Sequence, residues 1–287
     1  ETLQKKVELA TILGTIQSCF TDFKGLSRQW MRNTEEERLL GVSLTGILDS
    51  KMMSNVGKEN ITSLLSNLRL TAVSTNRKWS KYLGIEPSAA ITCVKPSGTV
   101  SQLVDAASGI HPRHSDYYIR TVRADKKDPL TKFMTEKGFP VEDELLKPHS
   151  MSVFSFPVKA PRGALTRDSI SAIDHLKIWQ VYSNHWCEHK PSITVSVQEN
   201  EWMEVGSYVY KNFDAMSGIS FLPMSEHTYK QAPYQDTTRE DYEALLKKMP
   251  KDVDWQALSE YEEEDNTMGS QTYNCSGDVC EVVDIVQ

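Results

Sequence analysis

Ile91-Thr92-Cys93-Val94-Lys95-Pro96-Ser97-Gly98-Thr99-Val100-Ser101 reads as a strand, a tight turn and the opening of a helix. The first four residues favour extended backbone, and Pro96, which has no amide to give a sheet ladder, stops them. Gly98 lets the main chain come close to a ligand. Unpaired amides at the head of a helix, with Ser and Thr hydroxyls beside them, form a natural anion site. The run is not a Walker loop, because it lacks the G-x-x-x-x-G-K-[ST] spacing. The same residues also fit a plain Ser/Thr-capped turn between strand and helix, and spacing alone leaves both readings open.

Elements of both kinds extend in each direction from this stretch. Upstream, Leu3, Val7, Ala10, Leu13 and Ile16 recur at helical spacing, and Glu1–Ala10 reads as helix interior, so the chain is expected to continue N-terminally. Arg38–Leu48 is apolar and rich in small residues, as a buried strand entering a turn would be. Glu59–Leu83 is predicted helical. Downstream, Tyr117–Val122, Met151–Phe156, Ile193–Val197 and Gly218–Leu222 are predicted strands. Asp168–Glu188 and Trp202–Phe213 are predicted helices, the first closed by Lys190-Pro191. A further helix opens over Thr237-Thr238-Arg239-Glu240, with a Thr cap and acid in its first turn, and runs to Met249, and a short one covers Asp254–Tyr261. Strands alternating with helices predict an α/β fold with a mainly parallel sheet.

Composition bounds the function. The 287 residues are 39% hydrophobic and 25% charged, enough apolar material for a core and too much for wholesale disorder. No run of roughly 20 apolar residues suggests a membrane span. The net charge of −7 sits at one end, since Lys251 onward carries a single base against ten acids. That acidic end argues against a stable nucleic-acid partner and leaves a nearly neutral body able to hold a small phosphorylated ligand. Five cysteines, an odd number, argue against a disulfide-stapled secreted scaffold, so a cytoplasmic setting is expected.

Two of the cysteines stand apart. Cys275-Ser276-Gly277-Asp278-Val279-Cys280 follows the linker-like run Asn266–Asn274. Fully extended, the two Cα atoms would lie ~17 Å apart, whereas a disulfide needs about 4.4–6.8 Å. Ser276-Gly277 is a turn signal in the right place. A dithiol on an arm suits thiol–disulfide shuttling; two incidental cysteines near a chain end, or half of a zinc site, fit as well. Cys19, Cys93 and Cys187 are expected to be buried or inert. The aromatic residues of Trp179–Tyr210 read as core. His185-Trp186-Cys187-Glu188-His189 matches the H-x-x-E-H pattern of inverted zinc peptidases, but Pro191 ends the predicted helix at once, and the motif without its context is weak.

Taken together, these segments resemble the adenosylcobalamin-dependent (class II, monomeric type) ribonucleoside-triphosphate reductases. Arg38–Asp49 is similar to a barrel strand of that family. Val94–Ser101 followed by Ser108-Gly109-Ile110-His111-Pro112 is similar to its substrate-phosphate loop and the segment after it. The terminal C-x-x-x-x-C is similar to its redox arm. The resemblance runs from Glu1 to Gln287 and corresponds to the C-terminal portion of the complete enzyme.

The resemblance implies the C-terminal half of a ten-stranded α/β barrel over residues 1–223, a helical extension near the cobalamin side over 224–265, and a flexible redox-shuttle tail over 266–287. It implies that Pro96, Ser97, Gly98, Thr99, Val100 and Ser101 hold a ribonucleoside triphosphate, and that Cys275 and Cys280 pass electrons from thioredoxin. It places adenosylcobalamin contacts at Gly109, Ile110, His111, Pro112, Arg113 and His114, within broader stretches at 109–170 and 229–268. The implied reaction exchanges the ribose 2′-hydroxyl for hydrogen by thiyl-radical chemistry. The family's radical cysteine lies in an Asn-x-Cys-x-Glu motif that these 287 residues do not contain. They are therefore expected to need the N-terminal part of the same enzyme for turnover, and a half barrel would leave sheet edges open to it. A non-enzymatic nucleotide- or phosphate-binding module remains the alternative.

Overall fold

Helices and strands alternate as the periodicity predicts, but most strands are short. The computed structural model describes residues 2–57, 59–224, 229–262, 272–276 and 279–283. The order opens with α1 (Thr2–Gln17), α2 (Arg28–Glu37), β1 (Val42–Ser43), α3 (Lys51–Ser54), α4 (Glu59–Leu83), β2 (Thr92–Cys93) and α5 (Val100–Leu103). It continues through β3 (Tyr117–Asp125), α6 (Pro129–Glu136), β4 (Val141–Asp143), β5 (Met151–Lys159), α7 (Ala172–His185) and β6 (Ile193–Val197). The last elements are α8 (Trp202–Lys211), β7 (Ile219–Pro223), β8 (Tyr234–Asp236), α9 (Arg239–Lys248), β9 (Thr272–Ser276) and β10 (Val279–Val283).

Where the local signal was strong, expectation and structure coincide. α4 and β6 have the predicted bounds, and Thr238 caps α9 by accepting from the Asp241 amide. The helix expected from Asp168 starts later, because Ser171 accepts from the Asp174 amide and so sets the cap. The strand expected over Arg38–Leu48 shrinks to Val42–Ser43. Gly46, at φ 69°, turns the chain into a 3-10 turn at Ile47–Asp49. In α1 the predicted apolar face is only partly inward. Val7 is buried, but beside it lie Thr11 and Thr15, whose hydroxyls donate to the carbonyls of Val7 and Thr11, while Leu13 and Ile16 are exposed.

The mainly parallel sheet is corrected. β1–β2 and β6–β7 are parallel pairs, but the largest sheet, in order β4-β5-β3-β8, is antiparallel. β3 and β5 pair over nine residues, from Tyr117↔Lys159 to Asp125↔Met151, and this long ladder organises its own layer.

Two compact units result, each built from two stretches of the chain. One comprises Glu1–Arg113 with Arg162–Met224, the other His114–Pro161 with Ser225–Gln287. The reason is β8, which returns after residue 229 to pair with β3. The first unit is built on Leu65, Leu176, Trp179, Tyr182, Trp186 and Val195, all essentially solvent-free. Each such side chain contributes roughly 1.5–3 kcal/mol by leaving water. Within this unit the Glu188 and His189 amides donate to the Thr92 carbonyl (2.9 and 3.1 Å), and the Ser192 amide to that of Val94 (3.3 Å). β1, β2 and the segment leading into β6 are thus successive hydrogen-bonded neighbours, and β6 itself pairs with β7. The second unit closes Phe133, Met134, Phe139 and Phe154 under Trp255 and Tyr261. No helix among the described residues is long and apolar enough to cross a membrane.

Candidate functional site

The loop after β2 emerges from a buried strand into solvent. Ile91 to Val94 are buried; Lys95, Pro96, Gly98, Thr99 and Val100 are exposed. The loop is closed by its own serines. The Ser101 amide donates to Ser97 Oγ (3.0 Å), and Ser101 Oγ donates back to the Ser97 carbonyl (2.5 Å). The Ser97 amide donates to Ser108 Oγ (2.7 Å). Ser97 and Ser101 are therefore committed inside the loop. The amides of Gly98, Thr99 and Val100 have no protein acceptor among the described residues, and an ideal Cβ on Gly98 would meet nothing within 4 Å. Three consecutive unclaimed amides on an exposed loop are a donor set for anionic oxygens. α5 is a single turn, so the donors and not a helix dipole supply the attraction. Lys95 Nζ is engaged by the Lys190 carbonyl and Ser192 Oγ, both at 3.0 Å.

The segment behind the loop is internal scaffolding. Gly109 and Ile110 are buried, and Gly109 sits at φ 54° against the Lys95 carbonyl. Arg113, with a side chain only 3% exposed, grips Asp49 through two parallel bonds, Nε to Oδ1 and Nη2 to Oδ2, both 2.9 Å. It also donates to the Asp105 carboxylate (3.2 Å) and carbonyl (2.7 Å). His111 accepts from the Thr194 amide at Nε2 (2.9 Å), so its proton sits on Nδ1 and goes to the Ser108 carbonyl (3.0 Å). Below it, buried His175 donates Nε2–H to the Ile110 carbonyl (2.8 Å), and burial pushes its pKa down to about 4. His114 belongs to the other unit, where it stacks on Tyr234 and pairs with Asp236 (3.1 Å).

These placements bear on the expected cofactor contacts. Gly109, Ile110 and Arg113 are buried, and His111 is half-buried with both ring nitrogens engaged. Pro112 and His114 are half-buried. The wider stretch at 229–268 is described only to residue 262.

The cysteines divide by environment. β9 and β10 form an antiparallel hairpin whose register sets Cys275 opposite Cys280. Facing residues in such a ladder have Cα atoms about 4.5–5.5 Å apart, inside the disulfide window of about 4.4–6.8 Å. The linker over 266–271 lies outside the described residues. Burial pushes the Cys187 thiol up to about 12 and raises that of Cys93, leaving both poor nucleophiles. Cys19, expected to be buried or inert, is exposed.

The H-x-x-E-H residues serve packing. α7 ends at His185, so the two histidines do not share a helix face. Glu188 Oε2 accepts from the amides of Ile91 (2.9 Å) and Thr92 (3.3 Å), and His189 Nε2 donates to the Leu40 carbonyl (2.7 Å). No cluster of three metal-ligating side chains occurs among the described residues. Sequence reasoning missed Thr45, Asp105 and Thr194. Asp49 was visible only as the end of a resembling stretch, and nothing local tied it to Arg113, 64 residues on.

No protein-family profile matches the chain. It is 28% identical over 263 residues to an adenosylcobalamin-dependent ribonucleoside-triphosphate reductase of Euglena gracilis, covering 89% of this chain and 35% of that protein. Proteins of the same name from Lactobacillus gasseri and Levilactobacillus brevis are each 26% identical, covering 72% and 76% of this chain. The chain thus spans about a third of the length of the curated relatives it matches. A crystal structure of a B12-dependent (class II) ribonucleotide reductase superposes with a TM-score of 0.75 at 22% identity, over 91% of this chain and 39% of that one. That likeness shows the α/β fold.

Proposed function

We propose that this chain, similar over most of its length to part of the adenosylcobalamin-dependent ribonucleoside-triphosphate reductases, is the substrate-phosphate and re-reduction portion of such an enzyme. The observation that carries the reading is the run of three unclaimed amides, Gly98, Thr99 and Val100, on a loop launched from a buried strand. Polyphosphate oxygens are strong acceptors, and charge-assisted bonds from fixed amides are about twice as strong as neutral ones. Thr99 adds an exposed hydroxyl, whereas Ser97 and Ser101 shape the loop. The barrel reading is supported by the succession of β1, β2, the 188–192 segment running into β6, and β7 beside β6 in the first unit.

Adenosylcobalamin would supply radical initiation to the complete enzyme, by analogy with the relatives' name. The chain's own contributions are binding and electron delivery. Cys275 and Cys280, facing each other across the hairpin, give up two electrons and two protons to a disulfide formed during turnover and become a disulfide themselves. Thioredoxin's dithiol then returns two electrons and two protons to them. Because Asn-x-Cys-x-Glu is absent from the 287 residues, they bind substrate without turning it over unless joined to that part of a reductase.

A chimera tests this. Residues 1–287 replace the matching region of the Lactobacillus gasseri enzyme, and reduction of ribonucleoside triphosphates is followed with thioredoxin as donor. Turnover that collapses when Cys275 and Cys280 become Ser, yet survives with a small dithiol reductant, supports the reading. A folded chimera that does not bind ribonucleoside triphosphates overturns it.

A further inference from the structure

We infer that Asp49 and Arg113 are positioning residues for the anion loop, acting through the segment 105–109 without touching the ligand. The inference rests on the reading of Gly98–Val100 as a phosphate site and adds what holds that site in shape.

The chain of contacts is continuous. Asp49 takes both bonds of the Arg113 fork and also accepts from the Ala107 amide at Oδ2 (2.8 Å). Arg113 holds Asp105 by side chain and carbonyl, at a residue that is non-glycine yet sits at φ 46°. Such a backbone persists where its surroundings enforce it. Thr45 completes the clamp, donating to the Ala107 carbonyl (2.9 Å) and accepting from the Gly109 amide (3.1 Å). The Gly46 amide bonds the same Ala107 carbonyl (2.7 Å). Segment 105–109 is thereby stitched to residues 45–49 on its inner side. On its outer side, Ser108 Oγ receives the Ser97 amide, and the Ala106 amide donates to the Ser101 carbonyl (2.8 Å). Both ends of the 97–101 turn therefore hang on a segment whose position the buried ion pair sets.

A guanidinium suits this task. Its planar fork fixes direction as well as distance, which a lysine ammonium does not. A buried pair also adds little net stability against an apolar replacement but defines one arrangement. The arrangement it defines is the direction of three amides.

The test uses the full 287-residue chain, with inorganic tripolyphosphate as the probe. Calorimetry gives affinity, and amide hydrogen exchange by NMR reads the loop residue by residue. Arg113→Lys keeps the charge and loses the fork. Ser108→Ala removes only the hydroxyl that receives Ser97, and Ser108→Thr restores one. Arg113→Lys and Ser108→Ala are each expected to weaken tripolyphosphate binding about tenfold, the equivalent of one hydrogen bond. Exchange should accelerate at Ser97 and Ser101 while the Val195 amide in the core stays protected, and Ser108→Thr should recover both readouts. A merely structural role would speed exchange at Val195 together with the loop, and that result overturns the inference. Unchanged affinity in a folded Arg113→Lys or Ser108→Ala protein overturns it as well. Should Arg113→Lys fail to fold, Ser108→Ala decides. Should the parent chain not bind tripolyphosphate, the phosphate reading falls, and exchange at the Ser97 amide in Arg113→Lys alone decides whether the ion pair holds the loop.

Discussion

Alanine at two glycines eleven residues apart separates scaffold from site. Gly109 has φ 54°, and a Cβ built there would lie 3.0 Å from the Lys95 carbonyl oxygen and 3.3 Å from Val94 Cγ1. Val94 is fully buried and the carbonyl is backbone, so neither yields cheaply. The left-handed backbone alone costs an L-residue about 1–2 kcal/mol, and relieving the clash brings Gly109→Ala to about 2–3 kcal/mol. Gly98 has no such φ and open space around it, so Gly98→Ala should stay within about 0.5 kcal/mol of the parent. A urea titration followed by tryptophan fluorescence reports this, because Trp179 and Trp186 are buried in the unit that contains Gly109. With a slope of about 1–3 kcal/mol per molar, Gly109→Ala should lower the midpoint by roughly 0.7–3 M. Tripolyphosphate affinity should follow the opposite order. The Gly98→Ala methyl adds bulk within the run of three amides and should weaken binding about tenfold. A Gly109→Ala midpoint equal to the parent's, or a Gly98→Ala protein less stable than Gly109→Ala, would refute the account of this turn.

His175 supplies a pH dependence. Its folded pKa of about 4 lies below its ordinary 6.5, so between those values the unfolded chain binds a proton that the native chain does not. Its contribution, on the order of 3 kcal/mol, is complete above about pH 6.5 and is lost as pH falls toward 4; His175→Gln should flatten the urea midpoint measured between pH 4.5 and 7. Glu188→Ala strands the buried Ile91 and Thr92 amides and should cost about 2–3 kcal/mol, whereas Glu188→Gln keeps an acceptor and should cost less than half of that in the same titration. Asn76 is fully buried and bonds Thr15 Oγ1, Ser88 Oγ and the Ser88 amide, so Asn76→Ala should destabilise by about 2–4 kcal/mol in thermal melts. Under a mild oxidant, mass spectrometry of tryptic peptides should find Cys275 joined to Cys280, with Cys93 and Cys187 still reduced.

Much of the second-order detail was legible in neighbouring residues. β6 alternates buried and half-buried positions as Ile-Thr-Val-Ser-Val should, and α4 runs its full predicted length, because hydrophobic periodicity is a local property. α6 was missed although Asp128 caps it and Pro129 opens it, a signal present but short. β8 could not be read at all, since three residues carry no period and pair only because β3 offers an edge.

At the candidate site the same boundary holds. The residues of the 95–101 turn, and the paired cysteines near the other end of the chain, were set by sequence alone, because turn chemistry and spacing act over a few residues. Which groups of that turn face solvent was decided by tertiary structure. Ser97 and Ser101 close on each other across four residues, but the Ser97 amide found its acceptor and Arg113 became a pin because Ser108 and Asp49 come from segments that only the folded chain brings within 3 Å. A hydrogen bond acts over ångströms in space, whatever the separation along the chain, so the roles of these groups were fixed only once the backbone had closed around them.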